Sequence, residues 1–202
     1  MGRRFLAERR RDPYYRAAQE QGLRSRAAFK LLHLSQREHL FHRGDRVLDL
    51  GAAPGGWSLV AALAVGPEGR VVAIDERRID PVEGVETMRG RVGSTELVGA
   101  LVGQEFDVVL SDLSPRISGA YATDHARSVA LVRAAFELAV QRLRPGGRFV
   151  AKVFDGDLLG ELEAQLRPRF ARVRRTKPPA SRERSSELYL IATGFHAPDS
   201  GP

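Results

Sequence analysis

Short hydrophobic runs alternate with longer amphipathic stretches over most of this chain. The short runs are rich in β-branched residues and predict strands at residues 46–50, 70–75, 107–111, 148–154 and 188–193, with a further strand at 170–176. Several of them, such as VVAI and DVVL, are almost continuously apolar, which is typical of strands that are covered on both faces.

The stretches between the strands predict helices. They cover residues 57–65, 94–102, 124–143 and 158–167, and an earlier helical period runs through residues 23–41. Strands that alternate with helices predict an α/β fold with a doubly wound, mostly parallel sheet and helices on both faces. We expect one such domain at residues 23–195, a basic arm at 1–22 with a helix at 14–21, and a flexible tail at 196–202.

The composition excludes several classes of protein. A chain of 202 residues with 43% hydrophobic and 28% charged residues fits one ordinary globular domain and excludes global disorder. It contains no cysteine, which excludes disulfides, thiolate metal sites and a cysteine nucleophile. The longest apolar runs are too short to span a membrane, and the N-terminus lacks the apolar region of a secretory signal. We therefore expect a cytoplasmic protein.

Basic charge is concentrated in two segments. Residues 1–46 carry twelve Lys and Arg against five Asp and Glu, and residues 167–184 carry eight against one. The rest of the chain carries twelve against nineteen, although the net charge of the whole chain is +7. This asymmetry is expected of a surface that binds phosphate groups, but solvated arginine-rich surfaces would give the same pattern.

A loop of small residues follows the first predicted strand, in the sequence VLDLGAAPGGWS. Its glycines let the backbone approach a ligand closely, and Pro54 restricts φ within the turn. The loop departs from the dinucleotide fingerprint G-x-G-x-x-G, and it has no basic residue to face a pyrophosphate. Asp49 precedes the loop, and Asp75 ends the second strand, where a carboxylate can accept hydrogen bonds from ribose hydroxyls. These features favour S-adenosylmethionine over NAD, the alternative being a glycine turn that serves packing alone.

Lysine is scarce in this chain, so its positions are informative. Lys152 lies inside the apolar strand FVAKVF, where an unpaired ammonium group would be costly to bury. Asp112 follows a strand at its carboxyl end, where ligands bind in such sheets. Glu187 opens the last strand, and Lys30 is the one lysine of the basic N-terminal region. Taken singly, each of the four also has an ordinary structural interpretation, such as a snorkelling lysine or a turn cap.

Five separated motifs occur in a specific order along the chain. They are DPYYRAAQEQGLRSRAAFKL, LDLGAAPGGWS, SDLSP followed by SGAYATDHAR, PGGRFVAKVFDGD and KPPASRERSSELYLIATGF. This series resembles the FtsJ (RrmJ) family of S-adenosylmethionine-dependent ribose 2′-O-methyltransferases. The resemblance implies a Rossmann-like methyltransferase domain and a Lys–Asp–Lys–Glu catalytic tetrad at Lys30, Asp112, Lys152 and Glu187.

The resemblance also implies a reaction. We expect transfer of a methyl group to a ribose 2′-hydroxyl of RNA, with a uridine of large-subunit (23S) ribosomal RNA as the acceptor. A ribose hydroxyl gains from a general base in the transition state, and we assign that role to Lys152. Burial and a nearby Lys30 would both disfavour the charged form of Lys152. Asp112 would orient the amine, and Glu187 would position Lys30 or the ribose.

The cofactor site that the resemblance implies includes one departure from the family pattern. A Gly-Asp pair usually follows the third strand, but this chain has Gly90 and Arg91, and Arg91 cannot accept a hydrogen bond. Adenine recognition must then use the backbone or another residue, or the cofactor binds more weakly. The expected cofactor residues are Asp49, Gly51, Ala52, Ala53, Pro54, Gly55, Gly56, Trp57, Asp75, Arg91 and Asp112.

RNA is the expected partner, with neither a membrane nor a metal ion involved. Arginines alternate with Tyr14 and Tyr15 in the N-terminal arm, which suits phosphate contacts and base stacking. We expect both basic segments to flank the carboxyl edge of the sheet and to clamp RNA in a salt-dependent manner.

Other functions stay open at this stage. Modification of tRNA is a variant within the same family, and a non-catalytic RNA-binding or ribosome-assembly protein could retain the fold. An NAD-dependent reductase is disfavoured because His125, not lysine, stands four residues after Tyr121. A metal enzyme is disfavoured because the five histidines lack paired ligand spacing.

Overall fold

The structure is a computed structural model, which describes residues 26–178 and 186–197. The helix expected at residues 14–21, the rest of the N-terminal arm and residues 198–202 of the expected tail lie outside the described residues. Within the described ranges, no helix combines the length and the apolar character that crossing a bilayer requires.

Seven strands within the described ranges form one sheet. They are β1 (Arg46–Leu50), β2 (Arg70–Asp75), β3 (Val85–Arg89), β4 (Phe106–Ser111), β5 (Leu143–Phe154), β6 (Phe170–Thr176) and β7 (Glu187–Phe195). Their order is β3-β2-β1-β4-β5-β7-β6. Six of the strands run in one direction, and β7 runs antiparallel to them. The order reverses between β1 and β4, so that their carboxyl ends form a topological switch point where ligands bind in such sheets.

Helices cover both faces of the sheet. They are α1 (Arg26–Glu38), α2 (Gly56–Val65), α3 (Thr95–Ala100), α4 (Tyr121–Arg142) and α5 (Leu159–Leu166). Helices α1 and α2 share a core with Val47, and α3, α4 and α5 share the opposite core with the adjacent Leu48. Successive side chains of a strand point to opposite faces, so apolar residues at both positions bury both faces. The predicted doubly wound, mostly parallel α/β fold is confirmed.

Three differences from the predicted elements have physical causes. Strand β3 was not found by the hydrophobic pattern because it lies at the sheet edge and three of its five residues are exposed. Strand β5 begins at Leu143 rather than at residue 148, because a register shift between Phe106 and Val108 of β4 accommodates the earlier segment. Helix α3 ends at Ala100, and Ser94 is its N-cap, accepting a hydrogen bond from the Leu97 amide.

Candidate active site

A cavity of about 1040 Å³ opens at the carboxyl edge of the sheet. Its wall includes Gly51 after β1, Asp75 at the end of β2, Asp112 after β4 and Lys152 of β5. A cavity of this size holds a ligand as large as a nucleoside cofactor. The fold therefore brings four of the predicted site residues to one cavity from separate parts of the chain.

The loop after β1 is hydrogen-bonded to β2 and lies close to the backbone that follows β4. The amides of Gly51 and Ala52 both donate to the Ile74 carbonyl, at 2.8 and 3.1 Å. Gly51 has a φ of +76°, and a Cβ atom there would lie 2.9 Å from the backbone nitrogen of Leu113. A side chain at this position would therefore be strained and would collide with backbone, which explains the glycine.

Asp75 is almost buried at the cavity wall. Its Oδ2 accepts a hydrogen bond from the Ala53 amide at 3.0 Å, and its Oδ1 accepts one from the Arg77 amide at 2.8 Å. Oδ1 also accepts a longer hydrogen bond from Arg77 Nε at 3.4 Å. A carboxylate offers about four lone-pair sites, so Oδ2 can accept another hydrogen bond. The position and the chemistry suit a ligand that carries hydroxyl groups.

Asp49 is fully buried beneath the loop and does not line the cavity. Its Oδ2 accepts a hydrogen bond from the Ser58 hydroxyl at 2.6 Å, whereas its Oδ1 has no partner in the described part of the chain. Burial raises the pKa of Asp49 to about 7, Ser58 opposes the shift, and the nearby carboxylates of Asp112 and Asp75 add to it. The Asp49 side chain therefore supports the loop from below, and its expected contact with the cofactor stays a prediction.

Trp57 makes structural contacts in the core beside the loop. Its side chain is buried, its indole Nε1 donates to the Ala27 carbonyl at 2.8 Å, and its ring centroid lies 5.8 Å from that of Tyr189. Trp57 thus fastens α1, which carries Lys30, to α2. Among the loop residues predicted to contact the cofactor, Gly51 and Ala53 line the cavity, whereas Ala52, Pro54, Gly55, Gly56 and Trp57 do not.

The four predicted catalytic residues form two ion pairs. Lys152 Nζ lies 2.8 Å from Asp112 Oδ1 and also donates to the Asp112 carbonyl at 2.9 Å. Lys30 Nζ donates to Glu187 Oε2. Tyr189 is close to both pairs, because it is the cross-strand partner of Lys152 and its ring centroid is 5.9 Å from Lys30 Nζ.

The buried surroundings shift the titration of two groups here. Desolvation raises the pKa of Asp112 and Glu187 adds to the shift, although Lys152 and Lys30 oppose it. Burial raises the pKa of the Tyr189 phenol, and the carboxylates of Asp112 and Glu187 reinforce the effect. Tyr189 therefore remains neutral and can donate a hydrogen bond. The sequence interpretation missed this residue, although its spacing of two from Glu187 places both on one face of β7.

Arg91 lies in the cavity wall with an 80% exposed side chain, and its Nε is 3.6 Å from Glu76 Oε1. Glu76 lines the same wall and immediately follows Asp75. A carboxylate is thus present on this side of the cavity, at a position that the sequence interpretation did not consider.

The second basic segment is partly committed to internal ion pairs. Arg174 pairs with Glu38, whose side chain is buried, and Arg175 Nε lies 2.8 Å from Oε1 of the buried Glu163. These two guanidinium groups are thus held in ion pairs, and their contact with RNA stays a prediction. The N-terminal arm and residues 179–185 lie outside the described residues.

Comparison with known proteins agrees with this geometry. The FtsJ-like methyltransferase family model matches residues 23–195. A Natronomonas pharaonis protein named ribosomal RNA large subunit methyltransferase E is 52% identical over 188 residues, covering 92% of this chain and 74% of that protein. A protein of the same name from Marinobacter nauticus is 46% identical over 196 residues, covering 95% of each.

Among solved structures, a ribosomal RNA methyltransferase from Plasmodium falciparum has a TM-score of 0.75 and 27% identity, covering 85% of this chain and 98% of that one. The sequence motifs, the cavity at the switch point and these relatives lead to the same conclusion. The chain belongs to the FtsJ-like methyltransferase family.

Proposed function

We propose that this protein transfers the methyl group of S-adenosylmethionine to a ribose 2′-hydroxyl of large-subunit ribosomal RNA, with a uridine of 23S RNA as the acceptor. One observation carries the proposal, namely the pairing of Lys152 with Asp112 at the cavity wall beside the Lys30–Glu187 pair. The names of the relatives support ribosomal RNA as the substrate. We expect the protein to act in the cytoplasm, where ribosomal RNA is modified in cells without a nucleus.

The residues of the large cavity fit S-adenosylmethionine. Asp75 would accept hydrogen bonds from its ribose hydroxyls, and Gly51 leaves space where a Cβ atom would collide. Glu76 lies on the same side of the cavity as Arg91 and would provide the hydrogen-bond acceptor for the adenine. The family pattern has this carboxylate at the position that Arg91 occupies here. When bound, S-adenosylmethionine supplies a methyl group that is activated by a positively charged sulfur. The carboxylates of Asp75 and Asp112 in the cavity wall favour the binding of that positive charge.

Lys152 would act as the general base. A neutral amine has two N–H groups and one lone pair, and the two acceptors of Asp112 account for both N–H groups. The lone pair is then directed away from Asp112 and can accept the proton of the ribose hydroxyl. After that transfer, the Asp112 carboxylate stabilises the ammonium that forms.

Lys30 and Glu187 would set the electrostatic conditions for this step. Glu187 fixes the Lys30 ammonium through their ion pair, and the neutral Tyr189 ring lies 5.9 Å from Lys30 Nζ. Each of these residues therefore acts on the position of another.

Salt dependence tests the RNA contact. Arg127 and Arg116 line the large cavity, and we expect their guanidinium groups to contact RNA phosphates. Replacing Arg127 by alanine should lower the slope of log Kd against log salt by about 0.7, which is the value for one phosphate contact on a single strand. The matched control is Arg133→Ala on the same helix, since Arg133 pairs with Glu161 at 2.7 Å. Equal slopes for both variants would contradict a phosphate contact at Arg127.

A methyl-transfer assay tests the function itself. Labelled S-adenosylmethionine would be incubated with large ribosomal subunits, naked ribosomal RNA and tRNA from a host that lacks its own methylation. We expect label in the ribosomal substrates, mapped by nuclease digestion and mass spectrometry to a ribose. Label on a base, or label in tRNA alone, would overturn the proposal, and binding of RNA and cofactor without any transfer would indicate a non-catalytic role.

A further inference from the structure

A second cavity, of about 360 Å³, lies beside the tetrad and shares no wall residue with the large cavity. Its wall is formed by Ile117, Gly119, Tyr121, Asp124, Phe154, Ser186 and Glu187. The large cavity reaches Asp112 and Lys152 of the tetrad, and this second cavity reaches Glu187. The catalytic residues therefore lie between two separate spaces, of which the proposed cofactor occupies only the larger.

The strand register places the second cavity two residues along β5 from Lys152. Phe154 pairs with Glu187 across β5 and β7, as Lys152 pairs with Tyr189. Residues two apart on a strand share a face, so Phe154 and Glu187 lie on the same side of the sheet as Lys152. Since the base of a nucleotide is one ribose ring from its 2′-hydroxyl, a hydroxyl at Lys152 would bring its base to this region.

Two exposed apolar side chains line this cavity. Ile117 is 66% exposed and Tyr121 is 62% exposed. Only three large hydrophobic residues are exposed in the described ranges, and these are two of them. The third, Val102, lies in neither cavity wall. An exposed aromatic beside an exposed aliphatic side chain is suited to a flat apolar partner.

The walls are held rigidly. The Tyr121 hydroxyl donates to the Asp155 carbonyl at 2.7 Å, which fixes the position of the ring. The Ser118 amide and hydroxyl and the Gly119 amide donate to the Asp124 carboxylate, which fixes the loop that carries Ile117. A subsite built in this way is preorganised and loses little entropy when a ligand binds.

The charge of the cavity selects among the parts of a nucleotide. Among the described residues, its wall contains two acidic side chains, Asp124 and Glu187, and no basic one. Hydrogen bonds from Ser118 hold the pKa of Asp124 below its usual range, so it is ionised. The Asp124 carboxylate would repel a phosphate, whereas a neutral base can stack on an aromatic ring.

We propose that the second cavity binds the base of the acceptor nucleotide, stacked on the Tyr121 ring with Ile117 as an apolar wall. The inference rests on the proposed function, because it takes the acceptor to be a ribose of RNA. It adds a specificity subsite to the reaction: Tyr121 positions the nucleotide through its base, and Lys152 accepts the proton from its ribose.

Replacement of Tyr121 tests the subsite. We expect Tyr121→Ala to lower kcat/KM on unmethylated large subunits by about 5- to 150-fold, which corresponds to the loss of one stacked base. Tyr121→Phe keeps the ring and should stay within about threefold of the wild type. Val102→Ala removes another exposed hydrophobic side chain and should leave kcat/KM unchanged. The affinity for S-adenosylmethionine should be equal in all four proteins, and the melting temperatures should differ by only a few degrees, because both Tyr121 variants lose a single exposed hydrogen bond to the Asp155 carbonyl. Wild-type activity for Tyr121→Ala, or equal losses for Tyr121→Ala and Tyr121→Phe, would overturn the stacking role.

A binding measurement separates failure of the subsite from failure of the proposed function. In Tyr121→Trp the new indole is exposed, whereas the native Trp57 is buried, so added RNA should quench the new fluorescence. Quenching by naked ribosomal RNA without methyl transfer would support the subsite and refute the reaction. Methyl transfer without quenching, or quenching by RNA-free ribosomal proteins alone, would refute base stacking and leave the reaction in place.

Discussion

Replacing Lys152 by methionine is expected to lower the rate of methyl transfer by about 10²- to 10⁴-fold, the range that general bases contribute. Methionine is similar in length and apolar, so it suits a strand position that is buried apart from its amine. The loss would arise because no other described group has the same contact with Asp112 at the cavity wall. Single-turnover rates with saturating S-adenosylmethionine and large subunits would measure the effect, and cofactor affinity should change little.

Lys152→Arg is the control that separates a base from a fixed positive charge. A guanidinium group can keep the ion pair with Asp112, but it does not release its proton in the accessible pH range. We expect the arginine variant to be as slow as the methionine variant. Near-normal turnover of Lys152→Arg would mean that Lys152 only positions the substrate, and near-normal turnover of Lys152→Met would exclude it from the chemistry.

Asp49→Asn is expected to stabilise the protein, and more at high pH than at low pH. Burial raises the folded-state pKa of Asp49 to about 7 from its ordinary value of 3.8. A raised carboxyl pKa means that the folded state binds a proton more tightly than the unfolded chain does. The wild type therefore loses stability as pH rises from about 4 to about 7, because Asp49 must then ionise while buried. Asparagine resembles the protonated carboxyl and can still accept the Ser58 hydrogen bond.

The free energy of unfolding of both proteins, measured in urea at pH 5 and pH 8, would test this. One pKa unit corresponds to about 1.4 kcal/mol, so the advantage of asparagine should grow by roughly 2 to 3 kcal/mol between the two pH values. The exposed Asp80 provides the matched control, since Asp80→Asn removes a carboxylate that is not buried. An advantage of the same size at both pH values would show that Asp49 is ionised throughout.

The strands that the sequence predicted best are the ones whose apolar character comes from full burial. β1 and β2 have the predicted limits because each run is bounded by a glycine on one side and an acidic residue on the other. The edge strand β3 lacks that signal, since its position depends on hydrogen bonds to β2 and not on buried side chains. Local patterns report burial, and they do not report pairing at an exposed edge.

The members of the tetrad could be predicted from their resemblance to the family motifs, but the pairing among them could not. Lys30 meets Glu187 only because α1 packs against α2, and that contact joins residues far apart in the chain. The same limit applies to Trp57, which shares the loop motif but faces the core. For Arg174 and Arg175, the buried carboxylates that neutralise them could not be predicted from a local count of charge.

The bond from the Trp57 indole to the Ala27 carbonyl has a consequence for how mutations of this family should be interpreted. Helix α2 starts at the glycine loop, and through Trp57 it also determines where α1 places Lys30. Cofactor contact and catalytic electrostatics are thus mechanically coupled, although they involve opposite ends of this arrangement. A substitution that tilts α2 would change the cofactor affinity and the position of Lys30 together. A loop variant with poor cofactor affinity and slow chemistry need not have two separate defects.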